Sequence, residues 1–149
     1  MTTEELIKLV NFDLKNERKH LHFYQNAAVM IGSIHRMELR EFLEKEAASE
    51  LVHVNEFSEL VVHLGGVPEA GVNEYPTNLV SPEDILRYAI QMENEVANNY
   101  AERLRQTDGM ENADIAVAHV FYEDQVMDSW KTAKELTQML RSYHSGLVR

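Results

Sequence analysis

Four glutamates and one histidine stand where apolar residues belong: Glu17, Glu50, Glu93 and Glu123, with His53 one helical turn after Glu50. Each glutamate interrupts a stripe of helical spacing. Glu17 falls between Leu14 and Leu21, Glu50 between Ala47 and Phe57, Glu93 between Ala89 and Val96, and Glu123 comes seven residues before Trp130. Seven residues after the other three stand Tyr24, Phe57 and Tyr100. Positions i, i+3 and i+7 share a helix face, so the acids hold one register on four helices. A carboxylate in an apolar core is costly and would protonate unless something compensates its charge. No Lys or Arg occupies these stripes near the acids, and divalent cations would supply the compensation. Oxygen and imidazole donors without thiolate suit Fe(II), Mn(II) or Zn(II), among which the sequence does not choose.

The elements that must position these groups are long helices. Residues 3 to 31 contain neither Pro nor Gly and carry a stripe of Val10, Leu14, Leu21, Tyr24, Ala28 and Ile31. Gly32-Ser33 breaks that pattern, with Ser33 a candidate N-cap. A second helix is expected from about 35 to 64, striped by Leu39, Leu43, Ala47, Phe57, Leu60 and Leu64, and stopped by Gly65-Gly66. Ser81-Pro82-Glu83-Asp84 is a helix start with a hydroxyl cap, Pro at the first position and acids facing free N–H groups. The third helix runs from there to about 106, with Leu86, Ala89, Val96, Tyr100 and Leu104 on one stripe. The fourth covers about 112 to 142, with Ala116, Trp130, Ala133 and Leu140 on its apolar face.

At 1.5 Å per residue these helices are each about 37–45 Å long. Short links make one–two and three–four antiparallel hairpins. The connection over residues 67–81 is long enough to return the length of the molecule. The expected fold class is all-α: an antiparallel four-helix bundle, one domain over residues 1–149, with a crossover between helices two and three. Glu17, Glu50 and Glu93 lie at or beside the midpoints of their helices and Glu123 about a turn away, so the four acids are expected to meet in the waist of the bundle.

Composition narrows the function. Lys and Arg total 14 against 25 Asp and Glu, a net charge of −11. That balance disfavours nucleic-acid binding and suits attraction of cations. The absence of cysteine removes thiolate catalysis, iron–sulfur clusters and disulfides. No Gly-rich phosphate loop is present, and no apolar run is long enough to span a membrane. The start Met1-Thr2-Thr3-Glu4-Glu5 lacks a signal-peptide pattern, so a cytoplasmic location is expected.

Glu17…Tyr24, Glu50-x-x-His53 and Glu93…Tyr100, with steps of 33 and then 43 residues between the acids, resemble the ferritin-like superfamily on its bacterioferritin and Dps-like side. The resemblance extends over essentially the whole chain and includes Leu64-Gly65-Gly66-Val67-Pro68 after helix two. It implies a di-iron site with Glu17 and Glu93 as terminal ligands, Glu50 and Glu123 as bridging ligands, and His53 bound to one iron. Tyr24 and Tyr100 are candidates to donate hydrogen bonds to those ligands or to supply electrons. Helix four departs from the pattern: where a second Glu-x-x-His is expected the chain has Glu123-Asp124-Gln125-Val126, and Val126 cannot bind metal. The second metal site is therefore incomplete, with His119, Asp124, Asp128 and His20 as possible substitutes. The position at which bacterioferritins present a haem-binding Met is Leu51, so haem is not expected. The resemblance implies oxidation of Fe(II) by O₂ or hydrogen peroxide and iron storage in a homo-oligomeric shell, twelve subunits favoured over a dimer. The other reading is a non-catalytic ferritin-like assembly or interaction protein holding one metal or none.

Overall fold

The computed structural model describes residues 1–145 and contains four helices: α1 (Thr3–Met30), α2 (Arg36–His63), α3 (Pro82–Thr107) and α4 (Ala113–Ser145). The boundaries fall within a few residues of those read from periodicity and caps. Thr2 begins α1 with a reciprocal capping box. Its hydroxyl accepts from the Glu5 N–H at 3.1 Å, and the Glu5 carboxylate accepts from the Thr2 N–H at 2.7 Å. Ser81 caps α3 as expected, accepting from the Asp84 N–H at 3.1 Å. Ser33 does not cap α2. It adopts φ 76° in the turn, and its hydroxyl accepts from the N–H of His35, which holds the N-cap position without a side-chain bond.

The helices form two compact units, Met1–Val80 and the segment from Ser81 onward. In the first, α1 packs on α2 with the end of α2 against the start of α1. A Cβ on Gly66 would lie 2.6 Å from Cγ2 of Ile7, which is why the chain needs glycine there. The connection after α2 then follows α1 from its N-terminal to its C-terminal end. Asn11 donates to the Val67 carbonyl and accepts from the Glu69 N–H, Arg18 donates to the Glu69 carbonyl, Asn26 donates to the Thr77 carbonyl, and the Gly32 N–H donates to the Val80 carbonyl. A long segment without regular structure is held by side-chain amides spaced along one helix. It makes the return trip its length allows.

In the second unit α3 packs on α4. Tyr100 and Tyr122 lie 5.4 Å apart at a tilted angle, and Thr107 meets His119 near the turn. The buried stripe of α4 is not the expected one. It consists of Ile115, Ala118, Tyr122, Gln125, Ser129, Ala133 and Leu136, whereas Trp130 is 55 % exposed. Two stripes one position apart compete along this helix. The one that wins buries Ile115, Tyr122 and Leu136 and leaves Glu123, Asp124 and Asp128 in water.

Candidate metal centre

The first hairpin gathers the predicted ligands. Glu17 stands at the middle of α1 and Glu50 at the middle of α2, each on the side packed against the other helix, and both are buried. One turn after Glu50, on the same side, His53 reaches both carboxylates. Its Nδ1 is 3.2 Å from Glu50 Oε2 and 3.6 Å from Glu17 Oε2. Two ligands at about 2.1 Å from a tetrahedral cation stand about 3.4 Å apart, so these separations suit a shared ion as well as the hydrogen bond between His53 and Glu50. The three ligand atoms lie within 4.8 Å of one another. Two carboxylates and an imidazole, in a chain without cysteine, fit a divalent cation of the iron, manganese or zinc type.

The surroundings of Glu17 favour its charged form. Burial opposes ionisation of Glu17, but the neighbouring His53 ring, the Glu50 carboxyl group and the charge of His20 outweigh it, and the pKa falls from 4.5 to about 2. The carboxylate is therefore anionic at neutral pH. His20, one turn after Glu17 and only 1 % exposed, faces Glu50 from the other side, with Nδ1 3.9 Å from Oε1.

The second hairpin treats its candidates differently. Glu93 is buried at the middle of α3, as its register implied, and Tyr100 is buried two turns on; on α1, Tyr24 is likewise buried. Glu123 does not enter the buried stripe. Its side chain is 56 % exposed and lies against His119, Oε1 to Nε2 3.3 Å. The other ring nitrogen of His119 faces the Thr107 hydroxyl at 2.9 Å, and that hydroxyl donates to the Arg103 carbonyl at 2.7 Å. Asp124 and Asp128 are exposed, so neither compensates on the buried side for the histidine absent at Val126. Among the described residues, the buried polar ones that α4 does carry are His119, Gln125 and Ser129.

One buried acid was not singled out from the sequence. Asp13 is fully buried one turn before Glu17. It lies three residues after Val10 and four before Glu17, the spacing that marks the stripe, and so could have been found by extending the stripe through acids as well as apolar residues.

Residues 7–144 match the family model of the ferritin-like domain. No curated protein sequence matches the chain significantly. Among solved structures, a ferritin-like diiron-carboxylate protein from Bacillus anthracis str. Ames is 27 % identical with TM-score 0.85, over 94 % of this chain and 99 % of that one. The DPS protein of Vibrio cholerae O1 is 13 % identical with TM-score 0.85, over 93 % and 90 %. A dodecameric thioferritin of Bacteroides fragilis is 18 % identical with TM-score 0.69, over 96 % and 92 %. The fold class is thus the expected all-α, ferritin-like four-helix bundle, and the chain belongs to the ferritin-like domain family.

Proposed function

We propose that the chain binds two Fe(II) ions at a carboxylate- and imidazole-lined centre, oxidises them with O₂ or hydrogen peroxide, and stores the ferric product within a closed homo-oligomer. The observation that carries this reading is the convergence of Glu17, Glu50 and His53 in the interior of the first hairpin. Its likeness to the diiron-carboxylate protein of Bacillus anthracis supports the choice of iron, although Mn or Zn would satisfy the same donors. In this reading Glu93 adds a carboxylate from α3, and exposed Glu123 takes no part in the centre. The ligands hold Fe(II) as substrate and favour the ferric product, because anionic oxygen donors stabilise the higher charge more. Two Fe(II) give up one electron each. Hydrogen peroxide takes both electrons and two protons, its O–O bond breaks, and two waters leave. With O₂ the same two electrons and two protons yield hydrogen peroxide.

The net charge of −11 favours delivery of Fe²⁺. Exposed Phe12, Leu51 and Val52 offer apolar surface for self-association. A dodecamer is the assembly we favour over a dimer, by likeness to the Bacteroides fragilis protein, and the cytoplasm is the setting proposed with it. Among the described residues, no helix is long and apolar enough to cross a membrane.

Anaerobic titration followed by peroxide addition tests this reading. Two Fe²⁺ should bind per chain, and one peroxide should be consumed per two irons, with a scattering mass near twelve times 17.2 kDa. One observation favours the non-catalytic reading. A groove of about 560 Å³ on the second hairpin is lined by Leu104, Val126, Met127 and Trp130, with Glu123 and Lys131 at its sides, as an interaction surface would be. Failure to bind or oxidise Fe²⁺ would leave that reading in place.

A further inference from the structure

We infer that His20 is a metal ligand, so that both imidazoles of a two-cation centre come from the first hairpin and Glu50 lies between them. This rests on the di-metal reading above. Glu-x-x-His occurs twice in the chain and nowhere else: Glu17-x-x-His20 on α1 and Glu50-x-x-His53 on α2. Residues three apart on a helix share a side, and in both motifs the two side chains turn inward. Di-iron proteins of this fold take a single Glu from two helices and a Glu-x-x-His from each of the other two. Here α3 has the single buried Glu93, while α4 carries no buried carboxylate among the described residues. The one buried histidine of α4 among the described residues, His119, faces Thr107 with one nitrogen and exposed Glu123 with the other. The second imidazole-bearing motif has moved to α1.

The two oxygens of Glu50 show the arrangement. Oε2 is 3.2 Å from Nδ1 of His53, and Oε1 is 3.9 Å from Nδ1 of His20. The longer separation exceeds a hydrogen bond. One carboxylate thus presents each oxygen to a different imidazole, as a carboxylate bridging two cations through both oxygens would. Glu17 lies on the His53 side, its Oε2 3.6 Å from that ring. His20 therefore defines a second position, reached through Glu50 Oε1. The two motifs differ in which oxygen of Glu50 they approach: His53 lies at Oε2 and His20 at Oε1.

Cobalt(II) added to the full chain under nitrogen tests this without turnover. Calorimetry should give two Co²⁺ per chain. The proton spectrum of the loaded protein should show two exchangeable, hyperfine-shifted imidazole N–H signals. His20→Gln should remove one signal and weaken one of the two Co²⁺ by about 10–100-fold, and His53→Gln should remove the other signal. Two Co²⁺ of unchanged affinity and both shifted signals in His20→Gln would overturn the assignment. So would a single imidazole signal in the doubly loaded wild type, a reading that does not require the variant to fold. Neither result touches the di-metal reading, which falls if the wild type takes up fewer than two Co²⁺ per chain.

Discussion

The hairpins α1–α2 and α3–α4 bury comparable numbers of polar side chains but employ them differently. On the first, Glu17, Glu50, His53 and His20 face one another across the helix pair. On the second, Thr107, His119 and the Arg103 carbonyl close a chain of hydrogen bonds, and Glu123 remains in solvent. The first arrangement offers donors for a cation; the second pairs its polar groups with one another. The lesson is that a buried histidine acquires its meaning from its partners. Beside two carboxylates it is a candidate ligand, and beside a hydroxyl that already donates to a carbonyl it is part of the scaffold.

The largest effect that would sharpen this contrast is on metal affinity. Glu50→Ala should weaken Fe²⁺ binding at least about 100-fold, as read by anaerobic calorimetry, whereas Glu123→Ala should leave affinity within about twofold. Equal losses in the two variants would erase the difference between the hairpins. Next comes acid sensitivity. The pKa of Glu17 is lowered from 4.5 to about 2, so between these values the unfolded chain binds more protons than the folded one. The metal-free protein should therefore lose stability as pH falls from about 4.5 towards 2, by an amount on the order of 2–3 kcal/mol. Urea midpoints across that range check it, and Glu17→Gln should flatten the curve.

Two smaller effects belong to the second hairpin. Thr107→Ala leaves buried His119 without its hydroxyl partner and should cost about 1–2 kcal/mol, with Fe²⁺ affinity unchanged. Ser81→Ala removes the α3 cap and should cost about 1 kcal/mol. Either variant losing Fe²⁺ affinity would erase the contrast between the hairpins.

What the sequence made legible follows the same division. Helix limits, caps and the crossover could be read because Gly65-Gly66, Ser81-Pro82 and the unbroken stripes are local signals. Glu17, Glu50, His53 and Glu93 could be read because each replaces an apolar residue in a single unambiguous stripe. Helix four misled because it carries two interleaved stripes. Ala116, Glu123 and Trp130 share one face and Ile115, Tyr122 and Ser129 the next, about 100° apart on a helix of 3.6 residues per turn. Trp130 was the stronger hydrophobic signal, yet it lies half in solvent while Tyr122 and Leu136 are fully buried. His20 was visible one turn after Glu17, but only its approach to the second oxygen of Glu50 distinguishes it from an ordinary buried histidine.

The central claim is that the first hairpin holds the metal. Anomalous diffraction at the iron edge, from crystals grown anaerobically with Fe²⁺, tests it most directly. The account predicts strong density within bonding distance of Glu17, Glu50 and His53, and a second peak between Glu50 and His20. Iron found only beside His119 and Glu123, or no peak at the Glu17–Glu50–His53 cluster, would contradict it.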